Sequence, residues 1–81
     1  TQIYPNPTSG KAIVDFNLDG FYKVSMQLVN SLGQTVWESN PGIIMNSKME
    51  IDLSGLADGM YNMQITADEY TFSKPLVITK D

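Results

Sequence analysis

Residues 11–18 read KAIVDFNL, and this stretch decides the fold class because apolar and polar residues alternate along it. Asp15 and Asn17 fall on one face of an extended chain. The opposite face carries four apolar side chains: Ala12, Val14, Phe16 and Leu18. A period of two is typical of a strand with one buried face, whereas a helix would repeat every 3.6 residues. The stretch therefore predicts a β-strand.

The same alternation continues along the chain, interrupted at short intervals by turn residues. It predicts seven strands: Thr1–Tyr4, Lys11–Leu18, Phe21–Asn30, Gln34–Ser39, Lys48–Leu53, Met60–Thr66 and Tyr70–Lys80. Asp19-Gly20 and Asp68-Glu69 are predicted tight turns, and Asn40-Pro41-Gly42 is predicted to end the fourth strand. Pro75 predicts a bulge or an edge position, since proline has no N–H to donate. Seven short strands predict an all-β, immunoglobulin-like β-sandwich of two antiparallel sheets, with residues 1–81 as a single domain.

Composition supports a small globular domain. The chain has 81 residues, of which 42% are hydrophobic and 17% are charged. It contains no Cys and no His, so neither a disulfide nor a zinc site is expected to hold it together. Packing and sheet hydrogen bonds must supply a stability of roughly 5–10 kcal/mol.

Charge and hydropathy exclude two classes of partner. Five Lys and nine acidic residues give a net charge of −4, with no basic face for nucleic acid. No apolar run approaches the roughly 20 residues of a membrane-spanning helix, so membrane insertion is not expected. Because the sequence starts at Thr1 without an initiator Met or signal peptide, we expect it to be a fragment of a longer exported protein.

Catalytic chemistry is not expected. The commonest general base, His, and the strongest nucleophile, Cys, are both missing, and Ser9-Gly10-Lys11 lacks the upstream glycine of a phosphate-binding loop. We therefore expect no enzyme, no cofactor and no metal. A calcium site at Asp68-Glu69 is an alternative, but a solvated turn is favoured because calcium needs many more ligands.

Carbohydrate binding is another alternative, carried by the aromatic residues. Trp37 and Tyr70 would form a sugar-stacking platform if they lay on one sheet face. Aromatic side chains in strands more often pack against neighbouring residues, and a lone Trp in a small domain usually fills the edge of the core. The packing role is therefore favoured.

A more specific pattern precedes the sixth predicted strand. Residues 56–61 read LADGMY, which is typical of a tyrosine corner. In that motif the Tyr hydroxyl hydrogen-bonds to the backbone of the crossing loop. We therefore expect Tyr61 to be structural rather than ligand-binding.

Three ordered segments carry a resemblance to a known family. They are IYPNPTSG at 3–10, VNSLGQ at 29–34 and LSGLADGMY at 53–61, followed by Lys74 and an apolar strand that ends in Lys80. Together they resemble the C-terminal sorting domain of the type IX (Por) secretion system, type A. The resemblance covers essentially the whole chain, and within the family it extends to the C-terminal domains of arginine-specific gingipain proteases.

The resemblance implies a folded export signal of Bacteroidota. It implies transit through the periplasm, recognition by the type IX translocon, passage across the outer membrane, and in many members removal by a surface sortase with anchoring of the cargo. The family motifs fall on Pro5, Pro7, Gly59 and Tyr61, and on Lys74 with the final strand. Asp81 departs from the family, whose members usually end on a basic or apolar residue.

The resemblance also selects candidate recognition residues in the final strand: Lys74, Pro75, Leu76, Val77, Ile78 and Lys80. An extended segment with basic ends can be read by strand addition and charge contacts. The alternative is that both lysines are ordinary edge protection. Because Thr1–Tyr4 is short and terminal, we also expect a weak homodimer through exchange of this strand or through an open sheet edge.

The leading hypothesis is thus a non-catalytic sorting signal. A cell-surface adhesion or carbohydrate-binding module is the alternative, because a β-sandwich alone does not determine function.

Overall fold

A computed structural model describes residues 1–80, which contain strands and turns and no helix. The strands are β1 (Gln2–Tyr4), β2 (Lys11–Asn30), β3 (Thr35–Asp52), β4 (Gly59–Ala67) and β5 (Tyr70–Ile78). All pairings between them are antiparallel. The all-β, antiparallel prediction is confirmed, whereas the count of seven strands is wrong: the described chain has five.

The second and third predicted strands, Lys11–Leu18 and Phe21–Asn30, are two halves of the 20-residue β2. Asp19-Gly20 does not reverse the chain, because the residues before and after it pair with the same partner, β3. The β2–β3 register instead shifts between Asn17 and Tyr22. An irregularity of this kind bends a strand and increases its twist without ending it.

The fourth and fifth predicted strands, Gln34–Ser39 and Lys48–Leu53, likewise join into the 18-residue β3. Asn40-Pro41-Gly42 lies inside this strand, beside a second register shift. Gly42 has a φ of 90°, a value that L side chains rarely adopt, so glycine suits this position. Pro41 is compatible with the strand because, within residues 1–80, β3 pairs on one side only.

The strands form one sheet in the order β1-β2-β4-β5, and β3 also pairs with β2. The first half of β2 pairs with β1 and β3, and its second half pairs with β3 and β4. The sheet curls so that both halves of β2 contribute to a single core, with 14 buried hydrophobic residues: Ala12, Val14, Phe16, Val24, Met26, Leu28, Ile51, Leu53, Tyr61, Met63, Ile65, Ala67, Leu76 and Ile78. The predicted pair of separate sheets is thus replaced by one curled sheet.

One connection and one strand position behave as the sequence predicts. Asp68-Glu69 joins β4 to β5 as a two-residue hairpin, since Ala67 pairs directly with Tyr70. Asp68 adopts a φ of 54°, and its carboxylate accepts a hydrogen bond from the backbone N–H of Lys23 at 3.0 Å. Pro75 occupies an edge strand, opposite Asn62 in a regular register, so the edge position is confirmed and no bulge accompanies it.

Candidate recognition surface

The loop before β4 is fastened by the side chain of Tyr61. The Tyr61 hydroxyl donates a hydrogen bond to the backbone carbonyl of Ala57 at 2.5 Å, and its ring is 9% exposed. The predicted tyrosine corner is therefore confirmed. Gly59 lies against this ring, but a Cβ there would be 3.7 Å from Tyr61 Cε1, an ordinary contact distance.

The end of the chain is tied to the same loop by Lys80. Its ammonium donates hydrogen bonds to the backbone carbonyls of Ser54, at 2.7 Å, and Leu56. Its backbone N–H donates to the carboxylate of Asp58 at 3.2 Å. Lys80 is exposed, but much of its hydrogen-bonding capacity is used within the domain.

The outer edge of β5 is covered by the segment that follows β1. The Asn6 side chain donates to the Pro75 carbonyl at 3.0 Å and accepts from the Val77 N–H at 3.0 Å. Thr8 then donates its N–H to the Val77 carbonyl at 2.9 Å and accepts from the Thr79 N–H at 2.8 Å. The amide side chain and one backbone residue thus replace a paired strand along Pro75–Thr79. We call Asn6, Pro7 and Thr8 the clasp.

Thr8 is anchored more deeply than its neighbours. Only 2% of it is exposed, and its hydroxyl donates to the Lys11 carbonyl at 2.5 Å while accepting from the Gly10 N–H at 3.1 Å. Gly10 has a φ of 144°, and a Cβ there would approach Cα of Ser54 to 3.1 Å. The chain after the clasp therefore requires glycine at this position.

A surface groove lies between β1 and β5. It has a volume of about 300 Å³ and is lined by Thr1, Gln2, Ile3, Tyr4, Asn6, Lys74 and Pro75. Lys74 is half-buried and Pro75 is exposed, so both present atoms to solvent at this groove. The ammonium of Lys74 supplies a positive charge in a domain whose net charge is −4.

The predicted recognition residues therefore divide by exposure. Pro75 and Lys80 are exposed, and Lys74 and Val77 are half-buried. The side chains of Leu76 and Ile78 are fully buried in the core, so no partner contacts them while the domain is folded. Strand addition at 75–79 is also prevented, because the clasp already occupies those backbone groups.

The role of Asn6 and Thr8 does not follow from the sequence pattern. Both residues belong to the segment 3–10, where the two prolines and Asn6 indicate a turn with local hydrogen bonds. The partners are about 70 residues away along the chain, a separation at which local patterns give no information.

A second cleft contains three aromatic residues that are at least partly exposed. It has a volume of about 450 Å³ and is lined by Asn17, Leu18, Asp19, Tyr22, Ala67, Tyr70 and Phe72. The Tyr22 and Tyr70 rings meet edge-on with centroids 6.2 Å apart. The Tyr22 hydroxyl donates to the Asp19 carboxylate at 2.5 Å, and this hydrogen bond raises the pKa of Tyr22 above its usual value.

The alternative of a Trp37–Tyr70 platform is not realised. Trp37 is half-buried against the core, opposite Leu28, while the ring beside Tyr70 is that of Tyr22. Among residues 1–80, no group of three acidic side chains gathers in a way that would hold a metal ion. Within the same residues, no helix is long and apolar enough to span a membrane.

A family model described as the secretion system C-terminal sorting domain matches residues 2–79. The chain belongs to this family. The resemblance inferred from the sequence motifs is thus confirmed across nearly the whole chain. No curated protein matches the chain, so a gingipain origin stays a prediction.

The family match covers some recognition candidates of the sorting domain and leaves others outside. The clasp, the tyrosine corner and Lys74 all lie within the matched residues, whereas Lys80 lies beyond them. The predicted departure at Asp81 lies outside both the matched and the described residues.

Proposed function

We propose that this sorting domain is a non-catalytic signal that directs its cargo protein across the outer membrane by the type IX secretion system. The family match over residues 2–79 carries this proposal. In its finer form, the domain passes through the periplasm, is recognised by the translocon, and is removed by a surface sortase that anchors the cargo. An arginine-specific gingipain protease is the proposed cargo.

We further propose that the final strand contributes the surface that the secretion machinery reads. The accessible part of that strand is Lys74 and Pro75, which line the groove between β1 and β5, with Val77 and Lys80 further along. Leu76 and Ile78 support this surface from the core. A basic side chain beside an open groove offers a partner both charge and shape, which favours a contact of modest size.

Fusing residues 1–81 behind a periplasmic reporter in a Bacteroidota host tests the proposal. We expect the reporter on the cell surface or in the medium when the domain is present, and in the periplasm when the domain is omitted. A matched control fuses the same domain at the N-terminal side of the reporter, where a C-terminal signal is not expected to act. Periplasmic retention of the C-terminal fusion would contradict the sorting function.

A carbohydrate-binding module is the second candidate, and the cleft at Tyr22, Tyr70 and Phe72 favours it. Three aromatic rings stand beside the Asp19 carboxylate and the Asn17 amide, which are the residue types that stack on and hydrogen-bond to sugars. A soluble-glycan titration monitored by NMR separates the two functions. Binding that is lost in Tyr70→Ala, with delivery of the reporter unchanged in that variant, would favour a separate binding role for this cleft.

A further inference from the structure

The outer edge of β3 is a long sheet edge. β3 runs for 18 residues and pairs with β2 on one side, and no strand within residues 1–80 pairs with its other side. Unpaired N–H and C=O groups along such an edge are a template for another strand. The edge is therefore a candidate surface for association.

The backbone of Ile43 faces this free edge. Lys23, which lies opposite Ile43 on β2, accepts a hydrogen bond at its carbonyl from the Asp68 N–H at 2.9 Å, so Lys23 points towards β4. In an antiparallel ladder, when the backbone N–H and C=O of one residue point away from the partner strand, those of the residue opposite also point away. The backbone groups of Ile43 therefore point away from β2. The backbone of Glu38 also faces the free edge. Its partner Gln27 lies four residues beyond Lys23, an even number, so Gln27 points towards β4 as Lys23 does.

Lys48 also faces the free edge. The Leu53 N–H donates to the Gly10 carbonyl at 2.6 Å, so residue 53 points towards β2. Pairing is continuous from Lys11 with Asp52 to Asp15 with Lys48, so the direction alternates at every step. Lys48, five residues before Leu53, therefore points outwards.

The sequence of β3 is partly symmetric about Ile43. Residues three to six positions away on the two sides match or complement each other: Asn40 with Asn46, Ser39 with Ser47, Glu38 with Lys48, and Trp37 with Met49; the inner pairs, Gly42 with Ile44 and Pro41 with Met45, differ. Of the three shifts in the β2–β3 register, two fall on opposite sides of Ile43, one at Ser39–Gly42 and one at Ile44–Asn46, while the third lies further out at Thr35–Trp37. Register irregularities usually protect a sheet edge against pairing. Here two of them flank Ile43, an arrangement that is compatible with pairing to the same edge of a second copy.

Exposed apolar side chains lie at the centre of this symmetry. Ile43 is 71% exposed and Met45 is 37% exposed, and Phe21, 72% exposed, lies on β2 next to Tyr22, which pairs with Ile44. Burying such side chains between two chains is favourable, at about 25 cal/mol per Å² of apolar surface removed from water.

We propose that two copies of the domain pair antiparallel through their β3 edges, with a two-fold axis at Ile43. In this arrangement Glu38 of each copy lies opposite Lys48 of the other, which gives two equivalent ion pairs. Ile43 meets Ile43 on the axis, and Phe21 and Met45 flank the contact. The dimer is weak, with a Kd on the order of 100 µM, because Pro41 contributes no N–H to the ladder and the ion pairs are exposed.

Exchanging the charges at positions 38 and 48 tests the proposal, because loss of folding cannot restore dimerisation in the double variant. Sedimentation velocity of residues 1–81 is measured up to millimolar concentration for Glu38→Lys, for Lys48→Glu and for the double variant. Each single substitution places like charges opposite each other twice, so we expect dimerisation to weaken at least tenfold. The double variant keeps the net charge of −4 and restores both pairs with reversed sign, so it dimerises like the original chain.

Mixing the two single variants supplies an independent readout. Each of them repels its own copy, but every Glu38–Lys48 position carries opposite charges in the mixed pair, so a heterodimer forms. Ile43→Cys should also crosslink two copies under oxidation, because the chain has no native Cys and the axis brings the two positions together. Met60→Cys is the matched control, since Met60 is 73% exposed on β4 and lies away from the proposed axis.

Three outcomes would overturn the proposal. They are a chain that stays monomeric at millimolar concentration, a dimer that neither single variant weakens, and a double variant that fails to recover association while its circular dichroism is unchanged. A dimer insensitive to all β3 substitutions would instead favour exchange of β1.

Discussion

The Tyr61 hydroxyl reaches back four residues and donates a 2.5 Å hydrogen bond to the backbone carbonyl of Ala57. Tyr61 is the first buried residue of β4, and Ala57 belongs to the loop that leads into this strand. Lys80 binds the same loop from the opposite end of the chain. The loop fastened by the corner therefore also holds Lys80, through Ser54, Leu56 and Asp58.

Tyr61→Phe removes this hydrogen bond and keeps the ring. We expect the free energy of unfolding to fall by about 1–2 kcal/mol, because the Ala57 carbonyl loses a partner in a partly buried site. Urea denaturation followed by Trp37 fluorescence measures it. Tyr70→Phe is the control, since Tyr70 is 60% exposed. Equal midpoints for both variants would show that the corner hydrogen bond contributes nothing.

Asn6→Ala tests the clasp. It removes the bonds to the Pro75 carbonyl and the Val77 N–H, so part of the β5 edge opens to water. We expect a loss of roughly 1 kcal/mol and faster hydrogen exchange at the Val77 amide. The neighbouring amide of Thr79, which Thr8 binds, should keep more of its protection. Unchanged exchange at Val77 would mean that its amide does not depend on the Asn6 side chain.

Asp52 gives a pH dependence of known sign. Hydrogen bonds from the side chain and backbone of Ser54 hold the pKa of Asp52 below its ordinary value of 3.8. A carboxylate whose pKa is lower in the folded state contributes stability above the unfolded pKa, and the contribution is lost as pH falls through the folded pKa. Stability should therefore decline below about pH 4 in the parent chain, and this part of the decline should be absent in Asp52→Asn. A Ser54→Ala variant whose Asp52 titrates at the parental midpoint in NMR would contradict the stated cause.

Local sequence patterns predicted the faces of the strands but not their ends. The alternation of Ala12, Val14 and Phe16 identified buried positions correctly, because side-chain direction in a strand depends only on parity. Asp19-Gly20 was predicted to be a turn because this dipeptide is common in hairpins. Whether such a dipeptide reverses the chain depends on which strand pairs with the residues after it, and here β3 continues to pair with β2.

Prediction of the candidate site from the sequence was limited by the same lack of long-range information. Apolar residues in an alternating strand have one buried face, so the burial of Leu76 and Ile78 follows from the pattern. The clasp does not follow from it, since Asn6 and Val77 meet only after the sheet has curled. A lysine near a chain end also looks free in the sequence, whereas Lys80 binds the corner loop.

Lys80→Glu should therefore lower the free energy of unfolding, whether or not Lys80 takes part in recognition. The substitution replaces a donor to the carbonyls of Ser54 and Leu56 with an acceptor, beside the Asp58 carboxylate. We expect a loss of roughly 1 kcal/mol, at the level of an exposed charged interaction. Lys80→Gln keeps a donor and should lose less. If Lys80→Glu unfolds at the parental denaturant midpoint, the fastening of Lys80 to the loop is not a stabilising feature.

Lys74→Glu isolates the proposed signal from these structural effects. Lys74 is half-buried at the groove between β1 and β5, and its charge is reversed without removing an apolar core residue. We expect circular dichroism to be unchanged, the free energy of unfolding to shift by less than about 0.5 kcal/mol, and surface delivery of a fused reporter to fall severalfold. The comparison is with Lys23→Glu, an equal charge change at an exposed position on β2. Delivery at the normal rate by the folded Lys74→Glu variant would show that this charge is not read by the secretion machinery. Equal losses of surface delivery in both variants would mean that the machinery responds to net charge. The two variants have the same net charge, but only Lys74 lines the groove.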